Sequence, residues 1–318
     1  MMPNDDSLDI VYTWVDDRFP GYSEQLARYA GKPQDHNPNR TRDNLDLLKY
    51  SLRSLDAFVP FVRHVYLVTC RPQVPAWIDV SAPDLTIIHH DSFMPASALP
   101  TFNSFAIQSC LHMIPNLSDR FLHVEDDLLF GRPIALSDFV EHDGRSKVFR
   151  GLGRTAAPAL RGRSDISPWN ASLAYTNLLL DKAYCAERRA GFVHAPLYVE
   201  RKSWEEMISL WNADFSRTRM SRFRAVHNVV PDYLYPYFRA YTGRARLLSY
   251  RETYGTSFYG SLENSLLLAR YIFAHIHMRK PKLVALNDGF GAIPDPRVEA
   301  MTRTFLERTW PFKSRFEL

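Results

Sequence analysis

Three short apolar stretches that each end in carboxylate or amide side chains constrain the fold more than any other feature of the sequence. The stretches and the polar residues that follow them are 9–15 with Asp16-Asp17, 121–124 with Glu125-Asp126-Asp127, and 282–286 with Asn287-Asp288. Short runs of apolar and β-branched residues predict buried strands. Ligands of open α/β sheets bind beyond the carboxyl ends of the strands, so these polar ends predict a site at one sheet edge.

Helical patterns alternate with these strands. Leucines recur at helical spacing over residues 45–58, after Asp43 or Asn44 as a capping residue, and Pro60 ends the pattern. Further strands are predicted at 64–69 and 85–89, and further helices at 101–113, at 203–211 from a capping box that starts at Ser203, at 232–241, and from Asp295-Pro296 to Pro311. The pattern weakens from 132 to 193, where we expect an irregular insertion. The alternation predicts an α/β protein.

Charge and motif content exclude several function classes. The 39 lysine and arginine residues exceed the 35 acidic residues by only 4 and form no long run, so no nucleic-acid partner is expected. No GxGxxG, P-loop, GxSxG or HExxH motif occurs, which argues against dinucleotide enzymes, P-loop NTPases, α/β-hydrolases and zincins. The 3 cysteines are widely spaced, which argues against a disulfide framework or a structural zinc site.

The sequence also predicts where the protein works. Its first residues carry acid where a signal peptide needs base, and no apolar segment follows them. The longest apolar stretch, residues 266–278, is interrupted by Arg270 and His275 and is too short to span a bilayer. We therefore expect a cytoplasmic protein that could associate peripherally with the inner membrane.

The strongest local signal for chemistry is Glu125-Asp126-Asp127. Adjacent carboxylates repel one another, and a hard cation such as Mg²⁺ removes that cost by binding carboxylates together with phosphate oxygens. An acidic surface loop or a helix cap explains the tripeptide equally well. His194 suits general-base catalysis and the Arg224 fork suits a phosphate, although a structural histidine and a surface ion pair are the commoner uses of these residues.

Separated motifs together resemble the Stealth family of sugar-1-phosphate transferases. The matching segments are 9–16 for the first conserved region of the family; 42–55, 62–69, 75–77, 99–104 and 126–131 for the second; His194-Ala-Pro196 through Arg224 to 233–238 for the third; and 286–288 with 311–317 for the fourth. They occur in order and span nearly the whole chain. The family includes bacterial capsule polymerases and the animal N-acetylglucosamine-1-phosphotransferase that builds the mannose 6-phosphate tag on lysosomal enzymes.

The resemblance implies a reaction and a fold. A hydroxyl of a glycan acceptor attacks the β-phosphate of a nucleotide-diphosphate sugar, the sugar-1-phosphate is transferred, and a nucleoside monophosphate leaves. The fold implied is a mixed, mostly parallel sheet with flanking helices that resembles a GT-A-like nucleotide-sugar glycosyltransferase, with a helical lid or acceptor insertion. The implied cofactor is Mg²⁺, with Mn²⁺ as the alternative. The expected donor is a UDP-sugar, and the expected process is synthesis of capsular or other cell-surface polysaccharide.

The resemblance also implies roles for residues at matching positions. The metal ligands would be Asp126, Asp127 and Asp288. The contacts of the nucleotide sugar would be Trp14, Asp16, Arg42, Asn44 and Asn287. His194 would be the base for the acceptor hydroxyl, with Asp127 as the rival, and Arg224 would neutralise charge on the transferred phosphoryl group.

We expect a single catalytic domain over residues 1–318, with core segments at about 8–131 and 280–318 and an insertion or lid at about 132–279. One position departs from the family pattern: Glu125 stands where members commonly carry Asn, which adds a negative charge beside the metal. Two other functions stay open. One is a conventional metal-dependent glycosyltransferase that releases a nucleoside diphosphate, and the other is a non-catalytic glycan-binding protein.

Overall fold

The computed structural model describes residues 7–31, 41–160, 163 and 165–318. The N-terminal residues 1–6, which entered the signal-peptide argument, and residues 32–40 lie outside the described residues. The strands are β1 (Leu8–Thr13), β2 (Val62–Thr69), β3 (Leu85–His89), β4 (Arg120–Glu125), β5 (Leu128–Phe130), β6 (Ser146–Val148), β7 (Arg150–Arg154), β8 (Ala190–Phe192), β9 (Leu197–Glu200), β10 (Ala245–Leu247), β11 (Ser257–Leu262) and β12 (Leu283–Asp288).

Helices lie between most of these strands. The α-helices are α1 (Tyr22–Tyr29), α2 (Leu47–Phe58), α3 (Ser104–Gln108), α4 (Pro168–Ala183), α5 (Arg201–Leu210), α6 (Asn212–Met220), α7 (Pro231–Tyr241), α8 (Tyr250–Thr256), α9 (Leu266–Arg279) and α10 (Pro296–Thr309). Within the described residues, none of the helices combines the length and the apolar character that crossing a bilayer requires.

A five-stranded sheet with the order β3-β2-β1-β4-β9 lies at the centre of the fold. The pairs β3–β2, β2–β1 and β1–β4 are parallel, and β9 joins β4 as an antiparallel edge strand. The predicted mixed, mostly parallel sheet is therefore confirmed. In a parallel sheet the carboxyl ends of the strands share one edge, so the ends of β1 and β4 lie side by side.

Both faces of the central sheet are covered. Along β1, Ile10 and Tyr12 pack into one apolar cluster with Leu52 of α2, while Val11 packs into a second cluster with Phe105 of α3. Because neither face meets water, β1 is an almost continuous apolar run and does not alternate with polar residues. This apolar run is the pattern from which β1 was predicted in the sequence.

A second sheet, with the order β11-β12-β5, brings another strand end to the same place. β5 starts directly after the turn that follows β4, and it pairs antiparallel with β12. The backbone N–H of Leu286 donates to the carbonyl oxygen of Asp127 (3.1 Å). The carboxyl end of β12 therefore lies beside the acidic turn after β4.

The strands that were predicted were placed accurately, but β6 to β11 were not predicted, and the helices were placed less well. β3 has the predicted bounds, and α7 and α10 begin within one residue of the predicted positions. The predicted irregular insertion was wrong in part, because Ser167 caps the 16-residue α4 by accepting a hydrogen bond from the Asn170 N–H. The Ser203 capping box was also wrong, since α5 already begins at Arg201. The helix predicted over 101–113 is α-helical only in α3.

Candidate active site

The candidate active site begins at the acidic turn where β4 ends. Glu125 is the last residue of β4 and lies opposite Thr13, the last residue of β1. Asp126 and Asp127 form the turn into β5. Because β12 pairs with β5, Asn287 and Asp288 reach the same turn from the second sheet. The fold therefore brings together the strand ends that the sequence pattern singled out.

His194 joins the acids through the antiparallel edge strand. It lies between β8 and β9, three residues before Leu197, which pairs with His123 of β4. Its Nε2 contacts the Glu125 carboxylate, and its Nδ1 lies 3.4 Å from Asp127 Oδ1. One ligand atom from each of Glu125, Asp127 and His194 lies within 4.8 Å of the others.

The two acids hold the His194 imidazole as a cation. Burial by itself would lower the His194 pKa, but the charges of Asp127 and Glu125 outweigh burial and raise that pKa well above its usual value. Burial raises the pKa of Glu125, and the His194 cation more than compensates, lowering it to about 2. In this arrangement both ring nitrogens face carboxylates, so the imidazole keeps its proton.

Arg224 lies in the loop between α6 and α7. Its Nη2 donates to Ser104 Oγ (2.8 Å), and its guanidinium stacks on Phe105 at 4.7 Å and on Trp169 at 5.3 Å from the ring centroids. The loop itself is tied to the 99–104 segment, because the Phe102 N–H donates to the Arg222 carbonyl (2.8 Å). A planar guanidinium held between rings keeps a fixed direction, which suits a bidentate anion.

Two cavities meet at this cluster. The smaller, of about 320 Å³, is lined by residues that include Trp14, Arg42, Asp43, Asp126, Asp127 and Asp288. The larger, of about 700 Å³, is lined by residues that include Phe149, Trp169, His194, Asp232, Tyr233 and Tyr259. Glu125, Arg224 and Asn287 line both cavities. A group in either cavity can therefore reach the shared wall.

The remaining predicted contacts already have protein partners. Arg42 and Asp288 form a two-pronged ion pair, with Nε to Oδ2 and Nη2 to Oδ1 both at 2.7 Å. The Asp16 carboxylate pairs with Arg18 (2.9 Å). The amide of Asn44 donates to Glu299 of α10. Neither Asp16 nor Asn44 lines either of the two cavities.

Two acids of the site had no functional signal in the sequence. Asp43 accepts from Trp14 Nε1 (2.7 Å) and from the Leu47 N–H (3.0 Å), and burial raises its pKa to about 7. Asp232 follows the first residue of α7, and burial, reinforced by Glu125, raises its pKa to about 7. Both residues stand at helix starts, where acidic side chains are common for purely local reasons.

The donor set fits a divalent cation. Asp127 Oδ1 is buried, and among the described residues it has the ion pair with His194 at 3.4 Å but no hydrogen bond. Burial and the neighbouring Asp127 charge raise the pKa of Asp126 well above its usual value. A cation bound to these carboxylates would pair with the Asp127 oxygen and would favour the charged form of Asp126, and carboxylate oxygens are common ligands of divalent metals.

Fold and site define an α/β protein that carries an acidic, histidine-containing cluster suited to a divalent cation at the carboxyl edge of its sheet. The chain carries a conserved region of the Stealth family. Residues 40–148 match the family's conserved region 2, described as Stealth protein CR2. This match confirms the family resemblance and coincides with the segments assigned to that region from the sequence.

Similar curated proteins include phosphotransferases of two bacteria. The chain is 34% identical over 320 residues to the exopolysaccharide phosphotransferase SCO6023 of Streptomyces coelicolor, a match that covers 98% of this chain and 52% of the relative. It is 29% identical over 320 residues to the capsular polysaccharide phosphotransferase SacB of Neisseria meningitidis serogroup A, covering 98% of this chain and 57% of the relative. The chain therefore spans about half the length of these relatives.

Similar solved structures are glycosyltransferases. The galactosyltransferase LgtC matches with a TM-score of 0.42 and 12% identity over 96% of both chains. GlyE of Streptococcus pneumoniae matches with a TM-score of 0.39 and 11% identity, over 96% of this chain and 61% of that one.

Proposed function

We propose that this chain transfers a sugar-1-phosphate from a nucleotide-diphosphate sugar to a hydroxyl of a glycan acceptor, in the synthesis of a cell-surface polysaccharide. The acceptor oxygen bonds to the β-phosphorus, and the bond from that phosphorus to the bridging oxygen of the nucleotide breaks. A phosphodiester forms, a nucleoside monophosphate leaves, and a base at the site takes the acceptor proton. The match to conserved region 2 of the Stealth family and the phosphotransferase names of the relatives support this reaction class.

The observation that carries the proposal is the position of the Glu125–Asp127–His194 cluster at the junction of two cavities. A transferase must hold two substrates with the reacting atoms in contact, and two cavities with a common wall provide that arrangement. Phosphoryl transfer needs alignment and charge neutralisation more than covalent help. Arg224 lines the common wall and would neutralise the equatorial oxygens of the transferred phosphoryl group.

We assign the donor, a UDP-sugar, to the smaller cavity. Trp14 contributes an aromatic wall there, and Arg42 and Asn287 contribute polar groups. Asp16 and Asn44, which line neither cavity, would reach the donor only after Arg18 and Glu299 release them. Bases and sugars stack on aromatic side chains, which suits the Trp14 position.

The same cavity would hold the metal. Asp126 and Asp127 would bind Mg²⁺, or Mn²⁺ as the alternative, and Asp288 would complete the set after giving up one of its two bonds to Arg42. When bound, such an ion neutralises the diphosphate and the Asp127 carboxylate. His194 would then face one fewer negative charge, which favours release of its proton and lets it act as the base for the acceptor hydroxyl. Asp127 is the rival base.

We assign the glycan acceptor to the larger cavity. Its walls combine aromatic rings, among them Trp169, Tyr233 and Tyr259, with the buried carboxyl group of Asp232. Rings that pack on sugar faces and a carboxylate that accepts from sugar hydroxyls are the usual components of a glycan site. Most of this wall comes from residues 147–259. This supports a single catalytic domain in which an insertion over residues 132–279 acts as the acceptor platform. We place the reaction in the cytoplasm.

The test is to identify the nucleotide released. The chain would be incubated with UDP-sugars, other nucleotide sugars, glycan acceptors and Mg²⁺, with and without EDTA, and products followed by mass spectrometry. We expect a nucleoside monophosphate that disappears on chelation and in Asp127→Asn. The control is Asp143→Asn, which removes the same charge from an exposed pair with Arg145 and should keep full activity.

The other outcomes decide between the alternatives. Release of a nucleoside diphosphate would make the chain a conventional glycosyltransferase. Absence of turnover, together with acceptor binding in calorimetry and no donor binding, would make it a glycan-binding protein. Equal activity of Asp127→Asn and the unmodified chain would show that the acidic cluster takes no part in the reaction.

A further inference from the structure

α9 is apolar on two opposite sides. Its inner side contributes Ala269, Ile272, Phe273 and Ile276 to the core beneath it, and all four are buried. Its outer side exposes Leu267, Tyr271 and Met278, whose exposed fractions are 78%, 64% and 73%. These three positions are four and seven residues apart, so they form one stripe along the helix. A helix that is apolar all round is normally covered on every side, so this stripe needs a second apolar contact.

Positive charge surrounds the outer stripe. The sequence of α9, LLLARYIFAHIHMR, contains no acidic residue. Arg270, His277, Arg279 and the following Lys280 are all exposed. In the part of the chain that the structure describes, Arg270, Arg279 and Lys280 form no ion pair. By contrast, Arg297 of the neighbouring helix α10 forms an ion pair with Asp295 (2.8 Å). The outer face of α9 therefore combines exposed apolar side chains with cations that no acid of the described residues neutralises.

We propose that this outer face, formed by Leu267, Tyr271 and Met278 and flanked by Arg270 and Arg279, docks on an anionic phospholipid surface. Apolar and aromatic side chains with flanking cations are the composition of helices that lie in a membrane interface. The long stems of arginine and lysine let apolar side chains enter the lipid while the charges stay at the phosphates. Because α9 carries cations and no acidic residue, lipid phosphate is the group whose charge complements this face.

The position of α9 relates the surface to the candidate active site. Phe258 of β11 stacks on His275 of α9, with ring centroids 4.4 Å apart. The next residue, Tyr259, lines the larger cavity. Successive side chains of a strand point to opposite faces, so α9 and the larger cavity lie on opposite sides of β11. Docking through α9 would leave that cavity uncovered and one strand away from the lipid.

Vesicle sedimentation tests the proposal without any catalytic assay, so its result is independent of the proposed function. The chain would be spun with vesicles of phosphatidylcholine alone and with vesicles of equal parts phosphatidylcholine and phosphatidylglycerol. We expect binding only to the anionic vesicles, weakened by added salt. A cation near an anionic surface contributes about fivefold in binding, so Arg270→Gln with Arg279→Gln should weaken it by roughly 25-fold. Leu267→Gln with Met278→Gln should also release the protein.

The matched controls lie elsewhere on the surface. Leu210→Gln changes a leucine at the end of α5 that is 55% exposed, and Arg297→Gln removes a cation from α10. Both controls should bind vesicles like the unmodified chain. Equal binding to neutral and anionic vesicles, or unchanged binding of the α9 variants, would overturn the proposal. A dimer in sedimentation velocity that the same α9 variants dissociate would overturn it as well, because a second copy would then cover the stripe.

Discussion

The Arg42–Asp288 ion pair offers a sharp test of how the site is held together. The pair joins the segment before α2 to the end of β12, which are 246 residues apart in sequence. Its two side chains are only 9% and 10% exposed. Asp288 Oδ1 also accepts from the Phe290 N–H (2.9 Å), and Arg42 Nη1 donates to the Gly291 carbonyl (3.0 Å). Substituting Arg42→Met keeps most of the side-chain volume and removes the charge.

The expected loss follows from this burial. Breaking a buried pair by removing one partner costs about 3–5 kcal/mol, because the other charge stays buried. The Phe290 N–H still stabilises the carboxylate, so we expect the lower end, about 3 kcal/mol, for Arg42→Met. The double variant with Asp288→Asn leaves no unpaired charge and should lose less than the sum of the single losses, with a coupling of about 2 kcal/mol. Urea unfolding, followed by the fluorescence of the 6 tryptophans, measures each loss.

The matched control is the Arg297–Asp295 pair. It has the same chemistry and a similar distance of 2.8 Å, but the arginine side chain is 75% exposed. Exposed pairs contribute little, so Arg297→Met should leave the unfolding midpoint unchanged. Equal small losses for Arg42→Met and Arg297→Met would refute the reasoning that burial makes the Arg42 pair important. Additive losses in the double variant would refute a direct interaction.

Three further predictions concern the surroundings of the site. Gly289→Ala would place a Cβ against the Ser261 hydroxyl of β11 and should cost about 1–3 kcal/mol in urea unfolding, whereas Gly255→Ala, with open space around it, should cost nothing. Glu125→Gln removes one of the two charges beside His194 and should lower the pKa of that imidazole in an NMR titration of the metal-free chain; an unchanged pKa would contradict the ion pair. Burial raises the Asp43 pKa from 3.8 to about 7, so the folded state holds a proton that the unfolded state releases. The free energy of unfolding should fall as pH rises from 3.8 to about 7, and Asp43→Asn should remove this fall. A pH dependence that survives the substitution would come from another group.

Strands could be predicted from the sequence because their signals are local. β1 and β12 are buried on both faces, so each is an almost continuous apolar run that ends in polar residues. Helices with weaker local signals were missed or misplaced. α4 begins at Ser167-Pro168 in a region whose glycines and prolines predict irregular structure, and α5 begins without a side-chain cap.

The meeting of the strand ends at one site could be predicted only in outline. Acidic ends of several strands indicate one sheet edge, but two antiparallel pairings decide which side chains touch. β9 on β4 brings His194 to Glu125, and β12 on β5 brings Asp288 to the acidic turn. Such pairings join residues 69 or more positions apart, and neither the Glu125–His194 contact nor the Arg42–Asp288 pair leaves a local trace in the sequence.

The fate of the β-phosphorus tests the central claim most directly. A nucleotide-diphosphate sugar would be mixed with the chain, a glycan acceptor and Mg²⁺, and the β-phosphorus followed by ³¹P NMR. The proposed reaction moves that phosphorus into a phosphodiester of the glycan, leaves the bond at the anomeric carbon intact, and stops in Asp127→Asn. A β-phosphorus that remains in a released nucleoside diphosphate would contradict sugar-1-phosphate transfer and establish glycosyl transfer instead.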